Sequence, residues 1–253
     1  MTTVQDILTF VETVAPREMK MEWDNVGLLC GRKDTPVTKI LVALDPFLHV
    51  CEEAAACGAQ VIVTHHPLIF HAPREITDGT EIGQSILTLC AHGISAINAH
   101  TNLDCADGGV NDVLAQTLEL SNIQTIEGQT LLRMGDFEAT LPDFLSHVKE
   151  TLGCEGLRYV DGGKPVKKVA VGGGSCAEFL RLVYDSGCDT FVTADIKYNQ
   201  FWDAKALGVN FIDAGHFHTE NPAVTVLAAK LQEAFPDVEV KISKTHADCM
   251  KYY

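Results

Sequence analysis

Val61-Ile-Val-Thr-His65-His66-Pro67 is the stretch on which the reading of this chain turns. Val61 to Thr64 are β-favouring and read as a short buried strand. Pro67 ends it, because proline has no N–H to give to a ladder. Two adjacent histidines therefore stand at the carboxyl end of a strand, the edge at which open α/β sheets bind ligands. Side chains alternate faces along a strand, but a chain leaving the strand is released from that rule. Both imidazoles can then face one crevice, each towards a different metal ion. Two histidines in a surface loop are the plainer alternative.

Upstream, Lys39 to Leu44 reads as a second buried strand. Asp45 is then expected as a helix N-cap, with Pro46 at the first helical position. That helix runs to about Cys57 and stops at Gly58. Strand, helix and strand make a βαβ unit, hence an α/β fold with a largely parallel sheet. Further upstream, Val4, Ile7, Leu8, Val11 and Val14 have helical spacing, and Ala15-Pro16 ends the helix. The intervening Glu22-Trp-Asp-Asn25 and the glycines up to Gly31 read as a packed tryptophan and a turn beside a short strand. Downstream come a loop around Arg74, a helix from about Thr80 to Ala91, and a strand from Ile94 to Asn98. That strand opens into Ala99-His-Thr-Asn-Leu-Asp104. One more helix starts at Gly108-Gly109 and ends near Leu120.

The second half repeats the plan. With Lys39 set on Lys168, Val42 falls on Val171, Gly58 on Gly187, Val63 on Val192 and Thr64 on Thr193 without a gap. Asp6-Ile7-Leu8 and Val11 sit over Asp143-Phe144-Leu145 and Val148. Ala99 sits over Ala214. Two intertwined α/β repeats are expected, 1–125 and 126–253. His65-His66 aligns with Ala194-Asp195. The second repeat instead carries Gly215-His-Phe-His-Thr-Glu220 after a strand, with a helix beginning near Asn221-Pro222. Gly172-Gly-Gly-Ser175 reads as a tight turn ahead of a phosphate loop, since it lacks the dinucleotide-binding spacing.

Composition narrows the function classes. The chain has 253 residues, with 46% hydrophobic and 21% charged, ordinary for a soluble globular protein. No apolar run reaches the roughly 18 residues of a membrane span, and no signal peptide is evident at Met1. Nine scattered cysteines without a Cys-x-x-Cys fit a reducing cytoplasm. Cys30, Cys90 and Cys188 are expected as small buried thiols. The net charge of −15 disfavours nucleic-acid binding, as does the lack of a basic cluster beyond Lys164, Lys167 and Lys168.

Three strand ends offer ligand-type side chains: His65 and His66; Asp104, with His100 nearby; and His216 with Glu220. A single metal with an open position takes about three protein ligands. Three imidazoles and two carboxylates exceed that and suit two ions sharing a carboxylate or a water. Imidazole with carboxylate favours zinc, manganese, iron or cobalt. His100 and His218 are candidates for proton transfer or ligand positioning.

Glu22-Trp-Asp-Asn-Val-Gly-Leu28, Thr64-His-His-Pro-Leu-Ile-Phe70, Ala99 to Asp104, Gly109-Val-Asn-Asp112 and Gly215-His-x-x-Thr-Glu220 together resemble the NIF-three-like family, over essentially the whole chain. Its bacterial members go by the name GTP cyclohydrolase 1 type 2 homologue. The resemblance implies a dinuclear metal site in the cleft between the two repeats and a toroidal homohexamer. Carried over by motif, the ligands are His65, His66, Asp104, His216 and Glu220, the set that the strand ends also offer. The sequence departs from the family at Asn199, where relatives often have His. The resemblance implies a metal-dependent hydrolase of GTP-cyclohydrolase type, and the same centre would serve a phosphoester. The other class of function is a non-catalytic metal-binding scaffold or carrier with a protein partner. Two divalent ions outweigh Asp104 and Glu220, so the pocket is expected to be net positive and to take a small phosphate-bearing molecule. Arg74 and Lys197 lie close enough in sequence to add to that field.

Overall fold

The computed structural model describes residues 1–253. In chain order the elements are helix α1 (Val4–Val14), strands β1 (Gly27–Cys30) and β2 (Lys39–Ala43), helix α2 (Leu48–Cys57), strand β3 (Val61–Thr64), helix α3 (Glu81–His92), strand β4 (Ser95–Asn98) and helices α4 (Thr101–Cys105) and α5 (Val110–Thr117). Strands β5 (Ser121–Ile126) and β6 (Gln129–Ala139), helix α6 (Leu141–Leu152), strands β7 (Arg158–Val160) and β8 (Val166–Val171), helix α7 (Leu180–Asp185) and strand β9 (Thr190–Thr193) follow. Helix α8 (Tyr198–Leu207), strand β10 (Asn210–Asp213), helices α9 (His216–Glu220) and α10 (Pro222–Ala234) and strand β11 (Glu239–Ile242) complete the chain.

These elements form two compact units, Met1–Ala106 with Val224–Ala247, and Asp107–Ala223 with Asp248–Tyr253. The first holds a five-stranded sheet in the order β1-β4-β3-β2-β11, parallel except for β1 against β4. The second holds a six-stranded sheet, β5-β6-β8-β9-β10-β7, whose centre, β8-β9-β10, is parallel. Antiparallel strands flank that centre. The fold is mixed α/β with two mixed sheets built on parallel centres, as the βαβ pattern implies.

The two sheets share one internal register. Ile40 pairs with Val61 and Val61 with Ser95. In the second sheet Val169 pairs with Thr190, the same positions under the ungapped alignment of the halves, and Thr190 pairs with Asn210, which falls on Ser95 in the register that sets Ala99 over Ala214. The helix starts match as well. Thr3 caps α1 by accepting from the Asp6 N–H at 3.4 Å, and Thr140 caps α6 by accepting from the Asp143 N–H at 3.4 Å. Gly58, Gly93, Gly153 and Gly208 end their helices in the left-handed conformation that glycine adopts without strain.

Strand alternation builds the cores. In the second sheet Val169, Val171, Val192 and Ile212 pack with Phe144 and Val148 of α6. Ala170, Phe191 and Phe211 face the other way, onto Leu180 and Val183 of α7 and Ala204 of α8. Covering both faces is what a central parallel sheet requires. In the first sheet Leu41, Ala43, Ile62 and Ala96 pack on Val50 and Ala54 of α2 and Ile86 and Leu89 of α3. No helix is long and apolar enough to cross a membrane.

Four sequence expectations change. Helix α2 begins at Leu48 with Phe47 before it, so Asp45 is not its N-cap; the Asp45 carboxylate bonds to His66 instead. Trp23 is not packed away but 62% exposed. The segment His216–Glu220 is itself a short helix ahead of α10, where the sequence pattern predicts a helix only from about Asn221-Pro222. Cys90 is exposed and Cys30, on the edge strand β1, is half-buried against the core of the first sheet, their sulfurs 3.8 Å apart; Cys188 is buried as expected.

Candidate metal centre

In the first unit, β3 and β4 end side by side, with Thr64 paired to Asn98, so the residues that follow them are neighbours. His65, His66 and His100 each place one ring nitrogen within 4.8 Å of the others, a spacing that could hold a metal ion. Their Nδ1 atoms are already engaged. His65 Nδ1 lies 2.9 Å from the Ala99 carbonyl, His66 Nδ1 2.7 Å from Asp45 Oδ1, and His100 Nδ1 2.9 Å from Asp24 Oδ1. Carbonyl and carboxylate oxygens accept, so each Nδ1 is the donor, and each ring presents its Nε2 on the other side. A metal-binding histidine is commonly oriented in this way by an outer oxygen. Asp104, on α4, stands 3.5 Å from His65 Nε2 through its Oδ1 and is buried.

Asp24 does two jobs. Besides His100 it accepts from the Thr101 N–H at 3.0 Å and from the Thr101 hydroxyl. Burial pushes its carboxyl up, but these hydrogen bonds win and hold it well below the usual carboxylate range. A carboxylate on the first N–H of α4 fixes where that helix starts, and with it Asp104.

In the second unit, His216 and Glu220 lie one helical turn apart on α9, with Nε2 3.1 Å from Oε2. Asp195, just beyond β9, accepts from His216 Nδ1 at 2.7 Å, the arrangement seen at His66 and His100. It does so from a positive-φ backbone, φ +54°. Burial works against charging the His216 ring, but Asp195 and Glu220 push its pKa up to about 11. Hydrogen bonding to His216 lowers that of Asp195.

The glycine run after β8 makes room for this pair. A Cβ on Gly174 would lie 2.2 Å from Glu220 Oε1 and 3.0 Å from His216 Nε2, and the residue has φ +61°. Its N–H donates to Thr219 Oγ1 at 3.0 Å and that of Gly173 to Asn111 Oδ1 at 2.7 Å. With these donors engaged the run is a tight turn, not a phosphate cradle. These donor types fit a transition metal: oriented imidazoles and buried carboxylates, with a glycine where a Cβ would meet His216 and Glu220.

His100, expected only near the site, belongs to the imidazole cluster. His218 is two residues from His216 on α9, and so faces roughly the opposite side of the helix. Its Nδ1 lies 3.2 Å from the Leu152 carbonyl and its Nε2 3.4 Å from Asp248 Oδ2. Arg74, Lys197 and Asn199 are all exposed. The sequence reading missed Asp24, Asp45 and Asp195; for Asp195 the alignment with His66 was an available signal. A cavity of about 330 Å³ opens beside His66, lined also by Asp45, Phe47, Phe70 and His71.

Comparison with known proteins agrees with the motif resemblance. A protein of Clostridium perfringens named GTP cyclohydrolase 1 type 2 homolog is 35% identical, over 98% of this chain and 99% of its own length. The crystal structure of a hypothetical protein of Staphylococcus aureus superposes with a TM-score of 0.94 at 30% identity, covering 99% of both chains. A Bacillus cereus protein related to NIF3 superposes with a TM-score of 0.93 at 25% identity, over 100% of this chain and 99% of that one. The family Duf34/NIF3 (NGG1p interacting factor 3) matches residues 2–249, a span that takes in every strand end described above. The chain belongs to the Duf34/NIF3 family.

Proposed function

We propose that the chain is a cytoplasmic metal-dependent hydrolase of small phosphate-bearing molecules. His65, His66, Asp104, His216 and Glu220 hold two divalent ions, of zinc, manganese, iron or cobalt. The observation that carries this reading is that outer oxygens engage Nδ1 on His65, His66 and His216, so that each ring presents Nε2 on its other side; at His216 that nitrogen stands 3.1 Å from Glu220 Oε2, and a metal would take the place of the proton between them. Divalent ions bound there supply Lewis acidity and activate water at neutral pH. Asp45 and Asp195 orient the histidines. His100, held by Asp24, is placed to take or give a proton at its Nε2.

The outer carboxylates revise the charge argument. Two divalent ions bring four positive charges, but Asp24, Asp45, Asp104, Asp195 and Glu220 bring five negative ones when ionised. The centre would then be near neutral, not net positive, so long-range attraction of a phosphate would be weak. The names of relatives support a GTP-cyclohydrolase-like reaction as the first to assay.

Purified protein is incubated with GTP and with generic phosphoesters, with and without added metal. Metal-dependent turnover that is lost in His66→Ala is the expected result. No turnover with any metal favours the second reading, a metal-binding scaffold or carrier with a protein partner. The interacting factor in the family's name is what recommends that alternative. Light scattering is expected to give a closed homohexamer, and a monomer at micromolar concentration would contradict it.

A further inference from the structure

Two large aromatic side chains stand out from the surface beside the imidazole cluster. Trp23 is 62% exposed and Phe70 is 42% exposed. Their ring centroids are 5.7 Å apart with the planes at 64°, so the rings form a corner. Both border His100, with centroids 6.2 Å and 6.1 Å from its ring. Phe70 also lines the cavity of about 330 Å³ that His66 shares, at the small end of the range for small-molecule sites. An indole left mostly in water forfeits burial that would stabilise the fold.

The chain around these rings is bolted down. The Met21 N–H donates to Thr101 Oγ1 at 3.0 Å. Lys20 Nζ donates to the Asp24 carbonyl at 2.8 Å. The Asp24 carboxylate is fixed on His100 and Thr101. On the other side of the corner, Asn25 Nδ2 donates to the Ile69 carbonyl at 2.7 Å, next to Phe70. Trp23 therefore sits in an anchored segment, and one of the anchors, Asp24, also orients His100 of the cluster. Its exposure is built in and held in register with the site.

We propose that Trp23 and Phe70 form a preorganised stacking subsite for a nucleobase, whose ligand reaches the His65, His66 and His100 cluster with its polar end. The chemistry of the corner selects this occupant. Two π faces favour a flat ring over an aliphatic chain. The adjoining wall is imidazole and carboxylate, so the ligand must be polar a few ångströms from its flat part. A near-neutral centre gives little long-range attraction, and stacking supplies affinity that charge does not. The subsite deepens the hydrolase reading and rests on it only for what the ligand's polar end meets.

Trp23 and Trp202 are the two tryptophans of the chain. A Trp202→Phe protein therefore reports on Trp23 alone. It is titrated, metal-loaded and metal-free, with guanosine, guanosine monophosphate and ribose phosphate. The two base-bearing probes are expected to quench Trp23 fluorescence, and ribose phosphate is not. By calorimetry, Trp23→Ala and Phe70→Ala should each bind guanosine monophosphate on the order of 10- to 100-fold more weakly. Ribose phosphate affinity and metal content should stay unchanged, and Trp23→Phe should recover most of the loss. Wild-type affinity for the nucleotide in both alanine variants would overturn the proposal. So would a Trp23 signal that ignores the base, or Trp23 shielded from iodide by a second copy of the chain. Metal-dependent binding of ribose phosphate with no response to guanosine sinks the subsite and spares the hydrolase reading. Quenching by guanosine with no phosphate binding at any metal loading does the reverse.

Discussion

The Asp45 carboxylate sits 2.7 Å from His66 Nδ1, across 21 residues of sequence. The contact joins the end of β2 to the end of β3 and fixes which nitrogen of His66 would face the proposed metal. Asp45→Ala removes that orientation without touching a proposed ligand. Metal affinity is expected to fall about 10- to 100-fold with the fold intact. Competition against a chelating dye measures it, and an unchanged affinity would show that Asp45 serves only local structure.

Asp24 is a stability residue as well. Asp24→Ala strands the buried Thr101 N–H and hydroxyl and frees His100. Losing hydrogen bonds to a buried carboxylate should cost about 1.5–3 kcal/mol. Urea unfolding of the metal-free protein reads this, and a change below about 0.5 kcal/mol would mean that water replaces the carboxylate.

Gly174→Ala places a Cβ 2.2 Å from Glu220 Oε1 at a positive φ. The expected outcome is lost metal together with destabilisation of about 1–3 kcal/mol. Gly58→Ala is the control: its φ is +71°, but nothing lies within 4 Å of the new Cβ. It should show a backbone penalty of about 1 kcal/mol and full metal content. Equal metal content in both variants would mean that Glu220 can move aside.

The βαβ core, the glycine helix ends and the strand-end histidines are legible in the sequence because each is a local signal. Val61 to Thr64 is short and apolar, and Gly58 and Gly93 sit where helical spacing stops. The shared registers and the matching Thr3 and Thr140 caps support the reading of two repeats. The outer carboxylates are not legible in the same way. An Asp before a proline has a local use as a helix cap, and an Asp-Asn pair has one as a turn. Which use wins is set by partners as distant in sequence as 76 residues, in the case of Asp24 and His100. His216–Glu220 gives too short a run for its period to show, so His218 could not be placed on the far side of a helix.

Glu53 gives a pH prediction away from the metal site. Its carboxylate accepts from Ser243 Oγ at 2.5 Å, from the Lys244 N–H at 2.9 Å and from the Thr245 N–H at 3.1 Å. Partial burial pushes its pKa up, but these hydrogen bonds prevail and bring it down to about 2. A depressed carboxyl stabilises fully above its unfolded value, about 4.5, and loses that contribution as pH falls through about 2. Hydrogen exchange should show the 243–245 segment protected at pH 5 and released near pH 2, and Glu53→Gln should weaken protection already at pH 5. Protection that does not change over this range would contradict the assignment.

The central claim is the metal centre, and elemental analysis of protein purified without chelator tests it most directly. The account predicts about two transition-metal ions per chain in the wild type and fewer in His66→Ala and Glu220→Gln, each variant still folded. One ion or none in the wild type, after incubation with excess zinc, manganese, iron and cobalt in turn, would contradict it.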